Sequence, residues 1–106
     1  MKIFDLELRV KTFGSIITWK VFLEDSTNDN NRVLDWLQGD EYRFKLLPGY
    51  KIEDNTLEVF ASCHGIAGGQ IICEVLIDGK SRDNKVVARI EDREYAKQSY
   101  QINQFV

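Results

Sequence analysis

The sequence predicts an all-β fold, namely an antiparallel β-sandwich of seven or eight strands with an immunoglobulin-like or related Greek-key topology. Apolar and polar residues alternate with a period of two along most of the chain, which is typical of strands that bury one face. Turn-forming residues separate the alternating segments. The length of 106 residues suits one domain, so we predict a single sandwich domain over residues 1–106.

The stretch from Thr56 to Lys80 carries the clearest strand pattern. Two alternating apolar sets predict two strands with one buried face each, Leu57, Val59, Ala61 and Cys63 in the first, and Ile71, Cys73, Val75 and Ile77 in the second. Gly65, Gly68 and Gly69 predict a reversal that joins these strands as a hairpin. Asp78-Gly79 predicts a tight turn into the next strand, with a positive φ at Gly79.

The flanking segments alternate in the same way. Further strands are predicted over residues 3–12, 16–24, 41–47, 85–91 and 99–106. The strand over residues 16–24 places Ile17, Trp19, Val21 and Leu23 on one face, and we expect Trp19 to be buried. The strand over residues 41–47 has Tyr42, Phe44 and Leu46 on its apolar face, and Pro48-Gly49 predicts a turn after it.

The segment from Arg32 to Gly39 fits either a helical or a non-helical structure. Its apolar residues suit one or two helical turns that end at Gly39, or a short strand or an irregular loop packed on the sandwich edge. In either structure we expect Trp36 and Leu37 to close an open end of the core, because large aromatic side chains are mostly buried. An exposed contact patch is the alternative.

Composition and charge exclude several classes of function. Fourteen basic and 17 acidic residues give a net charge of −3 without a basic stripe, so we predict no nucleic-acid partner. Asp5, Glu7 and Arg9 interrupt the apolar residues near the start of the chain, which is therefore not a signal peptide. We expect no membrane insertion and a soluble, cytoplasmic protein that begins at Met1. A trimmed exported domain is the alternative.

The residues that carry most protein chemistry are sparse. His64 is the only histidine, and a regular strand would point the adjacent Cys63 to the opposite face. This arrangement supports neither a zinc site nor a cysteine–histidine nucleophile, so we predict no enzyme activity, no metal and no cofactor. We expect Cys63 and Cys73 to be buried, reduced thiols, with a reversible disulfide across the predicted hairpin as the alternative.

Two loops are candidates for ligand binding. The segment from Asp25 to Asn31 reads DSTNDNN, which predicts a solvated hairpin tip. Its oxygen-bearing side chains also allow a calcium loop, although the spacing is not that of an EF-hand. The glycine-rich segment from Gly65 to Gly69 lacks the lysine and serine or threonine of a phosphate-binding loop, so we predict a flexible tip.

The segment from Leu57 to Lys85 resembles part of a known family. It contains ASCHGIAGGQIICEVLIDGK, a strand, a glycine-rich turn and a second strand that ends in DGK. This layout is similar to that of the soluble β-sandwich domain of MmpS-type small mycobacterial membrane proteins. The resemblance covers about a third of the chain. It implies a sandwich fold, and the membrane helix of that family has no counterpart in this sequence.

The sequence therefore favours a non-enzymatic protein that acts through protein–protein contacts. An adaptor or accessory subunit of a bacterial or phage assembly, an immunity-type inhibitor and a homo-oligomer all fit this class. Aromatic residues are enriched at interfaces, and the candidate interaction surface consists of Trp36, Tyr50, Phe60, Tyr95 and Phe105. The alternative is a module that binds a small ligand, a carbohydrate or calcium through its end loops.

Overall fold

The computed structural model describes residues 2–24, 29–52, 57–66, 68–80, 85–89 and 95–101. These residues form an all-β fold in which every strand pairs antiparallel with its neighbours, as predicted. The strands are β1 (Lys2–Phe13), β2 (Ile16–Leu23), β3 (Leu37–Gln38), β4 (Arg43–Ile52), β5 (Glu58–Gly65), β6 (Gln70–Ile77), β7 (Lys85–Arg89) and β8 (Tyr95–Gln101). A short 3₁₀ turn spans Asp29–Asn31.

The strands form a five-stranded sheet in the order β3-β4-β1-β6-β7 and a three-stranded sheet in the order β2-β5-β8. The consecutive strands β5 and β6 lie in different sheets, so the prediction of a hairpin between them is wrong. Glycines mark an unusual backbone conformation, but they do not determine whether the flanking strands pair with each other. The chain crosses from one sheet to the other through this connection.

The predicted tight turn between β6 and β7 is confirmed. Asp78 and Gly79 have φ values of 50° and 82°. Ile77 and Lys80 exchange backbone hydrogen bonds of 2.9 and 3.0 Å on either side of them. Positive φ at both central residues is typical of the turn type that matches the twist of antiparallel strands.

The two sheets contribute to one apolar core. Its buried side chains include Leu6, Leu8 and Val10 of β1, Val21 and Leu23 of β2, Val59, Ala61 and Cys63 of β5, and Ile71, Cys73 and Val75 of β6. Cys63 and Cys73 are both buried free thiols, as predicted. Because they lie in different sheets, they are not neighbours across a hairpin.

The amino-terminal half of β2 differs from the prediction. The pairing of β2 with β5 shifts in register between Ile16 and Thr18. Ile16 consequently packs against the core, whereas Ile17 is 71% exposed rather than buried. Trp19 packs against the core but is only half-buried, because it lies at the edge strand of the smaller sheet.

Glycines allow the two connections at one end of the molecule to touch. The carbonyl oxygen of Ser15, between β1 and β2, accepts a hydrogen bond of 3.0 Å from the Ile66 N–H, between β5 and β6. A Cβ atom on Gly65 would lie 2.2 Å from the same oxygen. Since real Cβ contacts are never this short, the approach requires glycine. The described part of this connection is held against the β1–β2 turn rather than free as a hairpin tip.

Strand β4 continues through Pro48 and Gly49, where the sequence predicts a turn. The pairing of β1 with β4 shifts by one residue between Phe4 and Leu6, which makes a β-bulge opposite Asp5. Gly49 adopts a φ of 65°, and its N–H donates a hydrogen bond of 3.0 Å to the Asp5 carboxylate. The bulge accommodates Pro48 and Gly49 as unpaired residues, and β4 continues beyond them to Ile52.

Residues 29–38, which we term the strap, run from the edge of β2 to the edge of β4. The Val33 N–H donates a hydrogen bond of 2.8 Å to the Val21 oxygen, and Arg32 forms an isolated bridge with Phe22. The strap then ends as the short strand β3, which pairs with Arg43 and Phe44 of β4. The strand alternative for this segment is therefore confirmed over Leu37–Gln38.

The strap only partly closes the open end of the core. The ring of Trp36 lies edge-to-face against Trp19, with ring centroids 5.0 Å apart, and its indole N–H bonds to the Val33 oxygen. Trp36 is half-buried against the core, as expected. Leu37 is 52% exposed, so the expectation that it closes the core is wrong.

Candidate functional site

The outer face of the five-stranded sheet is unusually apolar for a face that points away from the core. The alternation of β1 directs Leu6, Leu8 and Val10 inward and the residues between them outward. The registers extend this outer face across the sheet, and its apolar members are Ile3 and Phe13 on β1, Leu37 on β3, Phe44 and Leu46 on β4, Ile72 and Leu76 on β6, and Val87 on β7; of these, Leu76 is buried. Phe13 is 45% exposed and Leu46 is 52% exposed.

A shallow cavity of about 250 Å³ lies on this outer face. Its lining combines charged and apolar side chains: Arg9, Lys11, Phe13, Tyr42, Ile72 and Glu74. The cavity is formed by β1, β6 and the residue that precedes β4, so the sheet itself fixes its shape. A partner side chain placed there would meet an aromatic ring, an aliphatic wall and both signs of charge.

Arg9 links the charged and aromatic parts of this face. Its guanidinium forms an ion pair with Glu7 and lies 5.2 Å from the centre of the Tyr42 ring. The hydrogen bond to Glu7 raises the pKa of Arg9, which stays protonated. The Tyr42 ring is in turn 5.9 Å from that of Phe44. A guanidinium fixed against an aromatic ring is pre-organised for contact with a partner.

The sequence-predicted surface residues whose side chains are described, Trp36, Tyr50 and Phe60, lie on different elements of the fold. Trp36 belongs to the strap, whereas Tyr50 packs on the core beside Phe4, with ring centroids 5.9 Å apart. Burial, with a smaller effect of Glu24, raises the pKa of Tyr50 to about 12. Tyr50 therefore stays a neutral phenol.

The other members of that set lie on the smaller sheet or outside the described residues. Phe60 is half-buried and lies opposite Phe22 across the β2–β5 pair. Tyr95 lies opposite His64 in the β5–β8 register. Phe105 lies outside the described residues. As a single interaction surface, the set stays a prediction.

The sequence-based interpretation of β4 missed the residues on the outer face because it inverted the strand. Tyr42, Phe44 and Leu46 were expected on a buried face, yet Phe44 and Leu46 lie opposite the outward-facing Arg9 and Glu7. The bulge at Pro48 and Gly49 explains the inversion because it changes the phase of the strand: Leu47 before it and Tyr50 and Ile52 beyond it all face inward. The two adjacent leucines, 46 and 47, were the signal that one of them had to face outward.

The two loops predicted to bind a ligand are only partly described by the structure. In the segment from Asp25 to Asn31, only residues 29–31 are described, and the Asn31 side chain donates a hydrogen bond of 2.7 Å to the Leu23 oxygen. Within the described ranges, no group of three or more histidine, cysteine, aspartate or glutamate residues could hold a metal ion. His64 is exposed on β5, while Cys63 is buried, so they face opposite sides.

Known proteins supply no family for this chain. Comparison with protein-family models, with curated proteins and with solved structures found no match. Among the residues that the structure describes, no helix is long and apolar enough to cross a membrane. A function has therefore to be inferred from the geometry of the chain itself.

Proposed function

We propose that this protein is a non-enzymatic β-sandwich that acts through protein–protein contacts, with the outer face of its five-stranded sheet as the interaction surface. The sandwich architecture is supported by the single core to which both sheets contribute. The contact function is supported above all by one observation, the partly exposed apolar side chains that surround the Arg9–Tyr42 pair.

The physical basis is the composition of this face. An antiparallel sheet with one solvated face normally alternates between buried apolar and exposed polar residues. Here Phe13, Phe44 and Leu46 occupy outward positions. Covering such side chains removes apolar area from water, which contributes roughly 25 cal/mol per Å² before the costs of association. Aromatic residues and arginine are also the types enriched where protein interfaces are buried.

The partner class follows from the same features. An adaptor or accessory subunit of a bacterial or phage assembly and an immunity-type inhibitor both bind another protein through such a face, and a cytoplasmic location would suit either. The net charge of −3 and the mixed charges of the outer face favour a protein partner over a nucleic acid. The resemblance to MmpS-type domains favours the sandwich and leaves the partner undefined.

A comparative capture experiment tests this proposal. Tagged wild-type protein and the variants Phe13→Lys and Leu46→Lys would be cross-linked in lysate of the source organism, and captured proteins quantified by mass spectrometry. We expect at least one protein to be enriched by the wild type and lost with both variants, because a lysine on the outer face opposes burial.

The matched control is Ile17→Lys, which introduces the same charge at a residue that is 71% exposed on the smaller sheet. This variant should capture the same proteins as the wild type. Thermal unfolding would first establish that all three variants are folded. If no protein is captured in a way that depends on Phe13 and Leu46, the proposal is wrong.

A second candidate function is the binding of a small ligand in a groove between the strap and β4. This groove has a volume of about 310 Å³, and its polar lining consists of Asn30, Asn31, Arg32, Lys45 and Tyr50. Amide, guanidinium, ammonium and phenol groups are hydrogen-bond donors that suit a carboxylate or an acidic sugar. Calcium binding by the segment from Asp25 to Asn31 stays a prediction, since Asp25 lies outside the described residues.

Titration with glucuronate, followed by NMR, distinguishes this candidate from the first. We expect saturable shifts of the amides of Arg32 and Lys45, and their loss in Lys45→Ala. The control Lys20→Ala removes the same charge from the exposed side of β2 and should leave the shifts unchanged. The absence of saturable shifts in the wild type would remove this acidic-sugar candidate.

A further inference from the structure

The outward-facing residues of β1 form a pattern that is complementary to itself. In order they are Ile3, Asp5, Glu7, Arg9, Lys11 and Phe13. Two carboxylates are followed by two cations, and an apolar residue stands at each end. Residues at equal distances on either side of Leu8 have opposite charges near the centre of the row and are both apolar at its ends. Strand β1 is also the central strand of the five-stranded sheet, so this row crosses the middle of the outer face.

A two-fold rotation would place this row against its own complement. Consider an axis that lies between two such faces, passes over Leu8 and runs perpendicular to β1. The rotation reverses the strand direction, so residue 7 of one copy faces residue 9 of the other. Glu7 then faces Arg9 of the second copy, and Asp5 faces Lys11 of the second copy. Contacts of this reciprocal kind define the interface of a two-fold dimer.

The same rotation brings apolar residues of the neighbouring strand β4 into reciprocal contact between the two copies. The register pairs Leu46 with Glu7 and Phe44 with Arg9. The rotation keeps β4 opposite β4 of the second copy, so Leu46 of each copy faces Phe44 of the other. On β1 and β4, apolar contact and charge complementarity therefore coincide at the same two levels, whereas on β6 the rotation places the buried Leu76 of each copy opposite Glu74 of the other. Packed sheets cross at about 30°, so the pairs nearest the axis meet most directly.

We infer that a second copy of this chain binds the outer face of the five-stranded sheet through a two-fold, face-to-face contact centred between Glu7 and Arg9. The inference rests on the proposed function, because it uses the same face and names its partner. The ion pair between Glu7 and Arg9 within one copy becomes half of a cluster of four groups with alternating sign. Added salt should weaken the contact because part of its charge is exposed.

Complementary charge variants test the inference. Glu7→Arg leaves two cations at the centre of the face, and Arg9→Glu leaves two carboxylates. Each variant should repel its own copy, and we expect its dimer dissociation constant to rise about ten-fold or more. An equimolar mixture should associate again, because each cation of the first variant then faces a carboxylate of the second.

Light scattering after gel filtration, over a concentration series, gives the mass of each species against a chain mass of 12.3 kDa. We expect a dimer for the wild type and for the control Lys20→Glu, which makes the same charge change as Arg9→Glu on the exposed side of β2. Circular dichroism would establish that each variant is folded, and Lys11→Glu supplies a further variant if either of the others fails to fold.

The outcomes separate this inference from the proposed function. A wild-type protein that stays monomeric over the series overturns the dimer, as does an unchanged dimer in both charge variants. Failure of the mixed variants to associate overturns the two-fold geometry. If a different protein is captured in a manner that depends on Phe13 and Leu46 while the wild type stays monomeric, the proposed function stands without the dimer.

Discussion

Asp5 and Asp78 bind each other's backbone across the β1–β6 pair. The Asp5 N–H donates a hydrogen bond of 3.0 Å to the Asp78 carboxylate, and the Asp78 N–H donates one of 2.9 Å to the Asp5 carbonyl oxygen. The Asp5 carboxylate meanwhile accepts the N–H of Gly49. Asp5 thus connects the turn after β6 with the bulge in β4.

Replacing Asp5 by Ala should lower the free energy of unfolding by about 1 kcal/mol, because the Gly49 N–H loses its acceptor at an exposed site. Urea unfolding followed by circular dichroism measures this loss. The control is Asp40→Ala, which removes an exposed carboxylate from the turn between β3 and β4. Equal effects of the two substitutions would mean that the bond to Gly49 contributes nothing.

The contact between Gly65 and Ser15 predicts a steric effect. Gly65→Ala should destabilise the protein by at least about 1–3 kcal/mol, since the backbone around Ser15 has to move away from the new methyl group. The control Gly79→Asn changes a glycine that has positive φ and open space where its Cβ atom would lie, and asparagine tolerates this conformation. A stable Gly65→Ala protein would contradict the close approach.

The Trp19–Trp36 pair should hold the strap against the edge of the smaller sheet. We expect a double-mutant cycle with Trp19→Leu and Trp36→Leu to give a coupling of about 0.5–1.5 kcal/mol, the range for edge-to-face aromatic pairs. Chemical unfolding of the four proteins supplies the cycle. Additive effects would show that the strap is held by its hydrogen bonds to β2 and its pairing with β4 rather than by the aromatic pair.

The buried thiol of Cys73 predicts a dependence of stability on alkaline pH. Burial raises its pKa from 9.0 to about 12, with a smaller contribution from Glu74. The unfolded thiol ionises near pH 9 while the folded one stays protonated, so this contribution to stability is complete below pH 9.0 and is lost as the pH rises towards about 12. The free energy of unfolding, obtained from urea unfolding curves at several pH values across this interval, should fall less steeply with pH for Cys73→Ala than for the wild type.

Thiol labelling gives an independent check of the same burial. The pKa of Cys63 is also raised by burial, and its thiol lies 3.5 Å from the Ala88 oxygen. Both cysteines should react slowly with a thiol reagent in the folded protein and rapidly after denaturation. Rapid labelling of the native protein would contradict the core that the two sheets share.

Local sequence signals predicted the strands but not their partners. Alternation identified β1, β5 and β6, because a strand with one buried face has a period of two whatever lies beside it. The separation of β5 and β6 into different sheets is accompanied by a close contact between Gly65 and Ser15, which joins residues far apart in sequence. No single segment carries that information.

The candidate site was hidden from the sequence for a related reason. The outward position of Phe44 follows from the bulge at Gly49, which changes the phase of β4 relative to β1. A proline followed by glycine is more often a turn than a bulge, so the apolar side of β4 was assigned to the core. The surface around Arg9 becomes apparent only when the registers of three strands are known.

The strand order has a consequence for how the protein folds. Among the described strands, only β3 with β4 and β6 with β7 are neighbours both in the chain and in a sheet. Strand β1 has to pair with residues 43–52 and 70–77, so large loops close before the core can form. Such distant pairing is typical of domains that fold in milliseconds to seconds rather than microseconds. During synthesis β1 is made before β4, β5 and β6, so its apolar face stays exposed until the strands of the other sheet can cover it.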